Sequence, residues 1–258
     1  MSDWNPALYR RYEDERTRPA RELLARVPLE RAARVVDLGC GPGNSTELLV
    51  DRFHGAAIVG TDNSPAMLES ARARLPGVRF ELSDIATWQP REPQDLIYAN
   101  ASIQWVPDHA TLFPRLFSFL APGGVLAVQM PDNHEEPTHR AMRDVAALPD
   151  YAEAIGDPAK LRPAMLSVGE YYDLLAREAA EVDVFHTIYR HRMDSPDAIV
   201  EWVSGTGLKV FLAKLDEKQR AGYLADYRRR IARNYPVRAD GKLLLAFPRL
   251  FILAKRAA

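Results

Sequence analysis

The first chemical signal in the sequence is a glycine-rich turn, VVDLGCGPGNS, at residues 35–45. Its glycines are Gly39, Gly41 and Gly43, and an acid, Asp37, stands at its mouth. A turn of this kind between a strand and a helix often holds phosphate. No Gly-Lys-Ser/Thr ending is present, which excludes a P-loop, and Asn44 stands where the dinucleotide fingerprint has its third glycine. A different ligand is therefore expected.

Two more acids follow the next two apolar segments, and with Asp37 they favour a cationic ligand. Asp62 ends the segment AIVGTD, and Asp84 follows VRFEL. An acid about 20 residues after such a turn typically accepts hydrogen bonds from ribose hydroxyls. Opposite charges about 4 Å apart gain on the order of 4 kcal/mol at an effective dielectric of about 20, before desolvation. The alternative is that the glycines only tighten a turn and the acids cap helices.

The elements that must position these residues alternate between strands and helices. Asn44 or Ser45 is the expected N-cap of the second helix, and Ser64 that of the third. Parallel neighbours need crossover connections, so the order predicts an α/β fold with a doubly wound, Rossmann-like sheet. Strands are predicted at 33–38, 57–62, 78–82, 95–100 and 123–130, and helices at 18–27, 44–53, 64–75 and 109–120.

After residue 132 the alternation stops. Helix and loop are expected over 133–166 and a helix over 167–179; two long strands, 181–193 and 241–256, should pair antiparallel at the sheet edge around a helical insertion. We predict a single domain, 1–258, with a helical cap near the carboxyl ends of the strands, where open α/β sheets bind ligands. The expected core is about 19–132, 167–192 and 240–258, and the expected cap about 1–18, 133–166 and 193–239.

Composition limits the partners. The chain has 258 residues, 47% of them apolar, and a net charge of −1 that gives no general attraction to nucleic acid or a membrane surface. The basic run 228–230 is interpreted as solvated surface. No apolar run approaches the roughly 18 residues of a membrane helix. No leader-like segment is recognised, so a cytoplasmic location is expected.

Cysteine and histidine usage indicates neither a disulfide nor a metal. Cys40 is the only cysteine, and its place inside the glycine turn favours a small packed side chain over a nucleophile. His134 and His139 are five positions apart without a third ligand nearby in sequence, so no metal is expected.

Four motifs carry a family resemblance over about residues 33–130. VVDLGCGPGNS, GTDNSPAML, SDIATW and LIYANASIQWV resemble, in order and spacing, the nucleotide-binding motifs of class I S-adenosylmethionine-dependent methyltransferases. The resemblance implies S-adenosyl-L-methionine as cofactor and S-adenosyl-L-homocysteine as its product. The cofactor-binding residues it implies are Asp37, Gly39, Gly41, Gly43, Asp62, Asn63, Met67, Asp84, Ile85, Asn100 and Trp105.

The acceptor is expected to be a small acid. Methyltransferases of base amines generally carry Asn/Asp-Pro-Pro-aromatic after the fourth strand, whereas residues 100–103 read NASI. SDWNPALY, VQMPDNHEEPTH, VEWVSGTGL and LLLAFPRLFILAKR together resemble the trans-aconitate methyltransferase family, which esterifies one carboxylate of a small polycarboxylic acid. A carboxylate is already ionised at pH 7, so no general base is expected.

Arginines are the expected clamps for such an acceptor, because the planar guanidinium matches a carboxylate. Arg249 is the most informative, since it interrupts an apolar strand; for each candidate the alternative is a surface ion pair. Trp105 and Trp202 are as well explained by core packing as by acceptor contact. The positioning candidates are Arg249, Arg143, Tyr9 and His134, and the full substrate-binding set is Tyr9, Arg18, His134, Arg143, Tyr171, Tyr172, Arg190, His191 and Arg249.

Other functions stay open at this point. One is methylation of a different small-molecule or carrier-bound carboxylate, such as a malonyl group. Others are a protein of the same fold that transfers an aminopropyl or carboxyl group, and a cofactor sensor that binds a partner through the cap. The N-terminal arm, with Trp4, Tyr9 and Tyr12, is expected to close over the cofactor or else to pack on the sheet edge.

Overall fold

A computed structural model describes residues 13–258 of the chain, with side chains from residue 17 onward. Within this range seven strands form one mixed sheet in the order β3-β2-β1-β4-β5-β7-β6. The strands are β1 Arg34–Leu38, β2 Ala57–Asp62, β3 Arg79–Leu82, β4 Gln94–Asn100, β5 Leu120–Pro131, β6 Ala179–Met193 and β7 Leu243–Arg256.

Helices fill the connections in the described part of the chain. Two 3-10 turns, Ile103–Trp105 and Pro158–Leu161, accompany them. The α-helices are α1 Glu13–Arg26, α2 Asn44–Arg52, α3 Pro65–Arg74, α4 His109–Ser118, α5 Pro137–Ala146, α6 Pro149–Ile155, α7 Val168–Leu175, α8 Pro196–Ser204, α9 Lys209–Leu212 and α10 Glu217–Asn234.

The first five strands are parallel. β1 pairs with β2 on one side and β4 on the other, β2 pairs with β3, and β4 pairs with β5. Chain order therefore reverses at β1, and the carboxyl ends of β1, β2 and β4 share one edge. Open sheets of this kind bind ligands at such a switch point.

Strand β7 runs antiparallel to β5. Gly123 N donates to Ala257 O and Asp132 N to Pro248 O, both at 3.0 Å, so residue numbers rise along one strand as they fall along the other. This arrangement explains why β7 can follow an insertion of helices without a right-handed crossover.

Strand β6 lies outside β7 at the sheet edge. Phe185 stacks on Phe251 with ring centroids 4.8 Å apart, and His191 lies against Phe247 with centroids 6.0 Å apart. The opposite numbering again indicates an antiparallel pair. The predicted α/β sheet with an antiparallel edge hairpin is confirmed.

Residue contacts divide the chain into two compact units. The sheet unit comprises the described residues up to Pro131 with Pro163–Thr187 and Leu250–Ala258, and the helical unit comprises Asp132–Arg162 and Ile188–Arg249. In the helical unit α10 packs on α5 through two fully buried tyrosines. Tyr223 donates to Met142 O at 2.8 Å and Tyr227 to Thr138 O at 3.2 Å.

An apolar cluster of the sheet unit fixes α4 against the strands. Val36 of β1, Ile97 of β4 and Leu126 of β5 belong to it, together with Phe113 and Phe117 of α4, and all five are almost fully buried. Because this packing is tight, side chains of α4 can hold the loops that follow neighbouring strands in fixed positions.

Two local predictions were wrong and one was confirmed. The N-cap of α2 is Gly43 rather than Asn44 or Ser45, since Ser45 bonds to a buried acid and Asn44 reaches Thr17. The helix predicted over 109–120 ends at Ser118, and the strand predicted over 123–130 begins earlier, at Leu120. Ser64 caps α3 as predicted, accepting from Met67 N.

The basic run on α10 lies on the surface, as interpreted from the sequence. Arg228 and Arg229 expose 60% and 66% of their side chains, and each pairs with an aspartate. Arg230 lies 3.3 Å from Asp144. No helix in the part of the chain from residue 13 onward is long and apolar enough to cross a membrane.

We predict that Arg52→Met lowers the free energy of unfolding by about 1–3 kcal/mol. The Arg52 guanidinium donates to the carbonyls of Leu24, Val27 and Leu29, which follow or end α1, so its loss strands three acceptors. Urea denaturation measures the change. The exposed Arg91→Met is the control and should stay within about 0.5 kcal/mol of the parent; equal effects would contradict the assignment.

Candidate functional site

The glycine turn after β1 has one face against protein and one face open. Gly39, Gly41 and Gly43 have φ of 72°, 55° and 91°, a region that favours glycine. A Cβ at Gly39 would stand 2.3 Å from the Cβ of Ser102, so another loop presses on the backbone there. A Cβ at Gly41 would meet no described atom within 4 Å. The bare backbone at Gly41 is therefore accessible to a ligand.

Asp37 is a buried acid that is satisfied on one oxygen only. Its Oδ2 accepts from Ser45 Oγ and Thr46 Oγ1, both at 2.7 Å. Its Oδ1 is buried and has no hydrogen-bond partner among the described residues. Burial raises the pKa of Asp37 to about 6, although the two hydroxyls oppose the shift. Such a group favours a ligand that brings positive charge and N–H donors.

Asp62 ties the end of β2 to the glycine turn. Its Oδ2 accepts from Gly41 N at 3.0 Å and its Oδ1 from Ser64 N at 2.9 Å. Burial raises the pKa of Asp62, and these backbone bonds lower it. The carboxylate is half-buried, so lone pairs remain for a diol beside the turn. Of its predicted neighbours, Asn63 is exposed and Met67 half-buried.

The loop after β3 brings an apolar side chain to the same turn. Ile85 Cδ1 lies 3.4 Å from the position a Cβ would take at Gly39. Asp84 is exposed, and its Oδ1 accepts from Ala86 N at 2.8 Å, which shapes the loop. Ile85 therefore lies beside the glycine turn, and Asp84 lies exposed in the same loop.

The loop after β4 is strained and held against the glycine turn. Ala101 has φ of 54°, which is uncommon outside glycine. Ser102 Oγ donates to Leu38 O at 2.6 Å. The buried Oδ1 of Asn100 and Oε1 of Gln104 have no hydrogen-bond partner within residues 13–258. Trp105 lies half-buried in the 3-10 turn that follows.

These loops fit the expected donor. A nucleoside with an ammonium needs oxygen acceptors at one end and a diol acceptor in the middle, and Asp37, Asn100 and Asp62 present such oxygens at one sheet edge. The open face at Gly41 leaves room for the ligand. Ser102 and Gln104 belong to the motif LIYANASIQWV, but their individual contacts could not be predicted because they depend on the packing of one loop against another.

A second polar group lies in the helical unit, after β5. Arg143 donates to His134 O at 2.6 Å and to Glu135 Oε1 at 3.0 Å. Burial, Arg162 and Arg143 lower the pKa of His134. Burial, Arg162, His134 and Arg143 lower the pKa of His139 to about 3. Two residues predicted to bind the acceptor, His134 and Arg143, therefore lie together. Arg162, which was not predicted, lies near enough to act on His134.

Arg249 is a buried cation in an aromatic setting. It is 5% exposed, and its guanidinium carbon lies 4.8 Å from the ring centroid of Phe247. His191 lies 4.6 Å from Trp202, centroid to centroid, and both contact Phe247. Trp202 is therefore a packed residue of the helical unit. Arg249 follows Pro248, which accepts from Asp132 N, so it neighbours the segment that leads to His134.

The remaining acceptor candidates are dispersed. Arg18 is exposed and bonds Glu22 at 2.8 Å, and Arg190 and Tyr172 are exposed. Tyr171 is fully buried with its hydroxyl 2.6 Å from His109 Nδ1, so the prediction that it contacts an acceptor is not supported. The predictions for Tyr9 and the rest of the N-terminal arm, Trp4 and Tyr12, lie outside the described residues.

Cys40 is a packed thiol. It is buried against Leu68, Ala71 and Phe80. Burial, Asp37 and Asp62 all raise the pKa of Cys40, which leaves it protonated and unreactive. Within residues 13–258 no cluster of three or more His, Cys, Asp or Glu side chains could hold a metal ion.

Known proteins resemble the chain in family, sequence and fold. A methyltransferase domain family matches residues 9–213. The trans-aconitate 2-methyltransferase of Variovorax paradoxus (strain S110) is 69% identical, with 100% of each chain covered. That of Paracidovorax citrulli (strain AAC00-1) is 65% identical with the same coverage. A solved phosphoethanolamine N-methyltransferase 2 of Haemonchus contortus, in complex with S-adenosyl-L-methionine, is 17% identical and shares the fold, with a TM-score of 0.54 over 93% of this chain and 53% of that chain.

We predict that Gly41→Ala leaves a folded protein that binds S-adenosyl-L-homocysteine at least about tenfold more weakly, because the added methyl occupies ligand space. Gly55→Ala is the matched control, since Gly55 also has positive φ, 84°, and no described atom within 4 Å. Each variant should lose about 1–2 kcal/mol of stability through backbone strain. Calorimetric titration measures the affinities; unchanged binding by Gly41→Ala would contradict the placement of the donor.

We also predict that donor affinity falls as pH drops below about 6, because Asp37 has a pKa of about 6 and a bound cation favours its ionised form. The dissociation constant should be flat above pH 7 and rise up to about tenfold per unit below 6, with proton release on binding at pH 5. Titration in two buffers of different ionisation heat measures that release. Asp62 also has a raised pKa, so Asp37→Asn identifies the group by losing most of the dependence.

Proposed function

The chain belongs to the trans-aconitate 2-methyltransferase family, and we propose that it esterifies one carboxylate of trans-aconitate with S-adenosyl-L-methionine as methyl donor. The products are a monomethyl ester and S-adenosyl-L-homocysteine. The observation in the structure that carries this proposal is Asp37, a buried carboxyl with one oxygen left for a cationic ligand.

The sheet unit holds the donor. Bound S-adenosyl-L-methionine supplies an electrophilic methyl group on a positively charged sulfur. Asp37 Oδ1 and Asn100 Oδ1 would accept from its ammonium, and Asp62 would accept from the ribose hydroxyls. Ile85 covers the base, and the backbone at Gly41 allows close approach. Each of these contacts uses an acceptor or a surface that the fold has already set in place.

No residue has to remove a proton. A carboxylate is ionised at pH 7, so the work of the chain is to orient the acceptor and keep water out. His134 and His139 suit this task because their lowered pKa values keep both rings neutral at pH 7. A neutral imidazole can donate a hydrogen bond to a carboxylate without transferring a proton to it.

Arginines of the helical unit bind the acceptor. A polycarboxylate can leave water only where its charges are paired, and Arg249 offers a buried guanidinium for that purpose. Arg143 and Arg162 place further positive charge around His134. The net charge of −1 supports a small acid over nucleic acid or a membrane as partner, and the single buried thiol suits a reducing cytoplasm.

Incubation of the protein with S-adenosyl-L-methionine and a panel of acids tests the function. The panel contains trans-aconitate, cis-aconitate, citrate and a malonyl-loaded carrier protein. Mass spectrometry detects a methylated product by its gain of about 14 Da, the mass of one CH₂. We expect the highest kcat/KM with trans-aconitate. Activity on the carrier alone would overturn the acceptor, and transfer of an aminopropyl or carboxyl group would overturn the reaction.

We predict that Arg249→Met raises the KM for trans-aconitate about tenfold or more through loss of a charge-assisted hydrogen bond, and leaves the dissociation constant of S-adenosyl-L-homocysteine unchanged. Methionine fills similar apolar space, so the fold should persist. Arg190→Met, an exposed residue of β6, is the control and should change neither constant. An unaltered acceptor KM in Arg249→Met would remove Arg249 from the site.

A further inference from the structure

Helix α4 reaches both loops that line one side of the donor site. We propose that His109 and Arg115 of α4 are positioning residues, which fix the loops after β4 and β3 by donating to their main-chain carbonyls. His109 bonds the loop that carries Asn100 to Trp105, and Arg115 bonds the loop that carries Asp84 and Ile85. The inference rests on the proposed function, since it explains how that donor site is held.

His109 holds the 3-10 turn after β4. Its Nε2 lies 3.0 Å from Ile103 O, and its Nδ1 lies 2.6 Å from Tyr171 Oη. A carbonyl can only accept, so Nε2 carries the proton and Nδ1 accepts from the tyrosine hydroxyl. Tyr171 Oη in turn accepts from Leu166 N at 3.3 Å. The chain of bonds fixes one tautomer and one ring orientation.

The 3-10 turn after β4 is connected to the glycine turn through Ser102. Ser102 precedes Ile103, and its Oγ donates to Leu38 O at 2.6 Å. A Cβ added at Gly39 would lie only 2.3 Å from the Cβ of Ser102. A shift of the Ile103 carbonyl would therefore move Ser102 against the backbone at Gly39. His109 thus acts on the part of the donor site that takes the methionine end.

Arg115 holds the loop after β3, which the proposed function assigns to the base. Its two terminal nitrogens donate to Ile85 O at 2.7 Å and Trp88 O at 2.6 Å. Its guanidinium also lies 5.7 Å from the ring centroid of Phe119. One side chain thus fixes both ends of the segment 85–88, whose first residue lies beside Gly39.

The chemistry of these contacts points to positioning rather than to packing alone. His109 and Tyr171 sit with Phe113 in an apolar cluster, where Leu and Phe would fill the space without the cost of burying polar groups. Entry into α4 also requires Asp108 to adopt φ of 55°, a strained value for a residue other than glycine. The polar pair and the strained entry are what bring an N–H to the Ile103 carbonyl.

The test compares variants of the whole protein that remove or keep each donor. His109→Gln retains a side-chain N–H at the Nε2 position, whereas His109→Leu has none; Arg115→Met loses both bonds. Arg256→Met is the matched control, because Arg256 also donates to two carbonyls, Ser118 O and Leu120 O, at the opposite end of α4. Melting temperature, kcat, and the dissociation constants of S-adenosyl-L-homocysteine and 5′-methylthioadenosine are measured for each.

We expect His109→Leu and Arg115→Met each to weaken the binding of S-adenosyl-L-homocysteine about tenfold, because a misplacement of about 1 Å in a site can lower a reaction rate by more than that. Only Arg115→Met should also weaken 5′-methylthioadenosine, which lacks the amino acid end. His109→Gln should stay within about threefold of the parent, and Arg256→Met should lower the melting temperature alone.

Equal losses of melting temperature with unchanged affinities and kcat in all variants would overturn the proposal, because they would show a structural role only. Equal weakening of both ligands by His109→Leu would overturn its assignment to the methionine end. The binding measurements need no acceptor. Failure of the parent to methylate trans-aconitate would therefore refute the proposed function and leave this inference separately tested.

Discussion

A half-satisfied carboxylate at the end of β1 is the constraint around which the donor site is arranged. Burying the charge of Asp37 is costly unless it is bonded, and the fold provides two hydroxyls, from Ser45 and Thr46, on one oxygen only. Because Ser45 is used in this way, Gly43 is the N-cap of α2. The remaining oxygen, with those of Asn100 and Asp62, suits a cationic nucleoside, and the charge of Asp37 would repel a pyrophosphate of the kind that dinucleotide-binding turns hold.

Methylation of a carboxylate does not require a general base from the protein. An ionised carboxylate has no proton to lose, so the helical unit needs cations and neutral donors rather than a base. Arg249 is buried on β7, and His134 and His139 are kept neutral by burial and by neighbouring arginines. The proposed function assigns the cationic donor to acids of the sheet unit and the anionic acceptor to cations of the helical unit.

Local patterns predicted most of the fold, the family motifs supplied the candidate donor residues, and tertiary contacts account for what the local patterns missed. Alternating apolar runs gave the strands of the sheet, and Ser64 before Pro65 gave a helix start, because both signals are local. The N-cap of α2 was mispredicted because Ser45 bonds an acid eight residues away in sequence. His109 and Tyr171 are 62 positions apart in the sequence, so no local pattern could predict the hydrogen bond between them. Tyr171 is fully buried, which its sequence context did not indicate.

The infrared carboxyl stretch of Asp37 tests the central claim most directly. At pH 5 the free protein should show the band of a protonated buried carboxyl, absent from Asp37→Asn, because the pKa of Asp37 is about 6. Saturation with S-adenosyl-L-methionine should remove this band as the carboxyl ionises against the bound cation. Persistence of the protonated band in the saturated protein, or its absence from the free protein, would contradict the account.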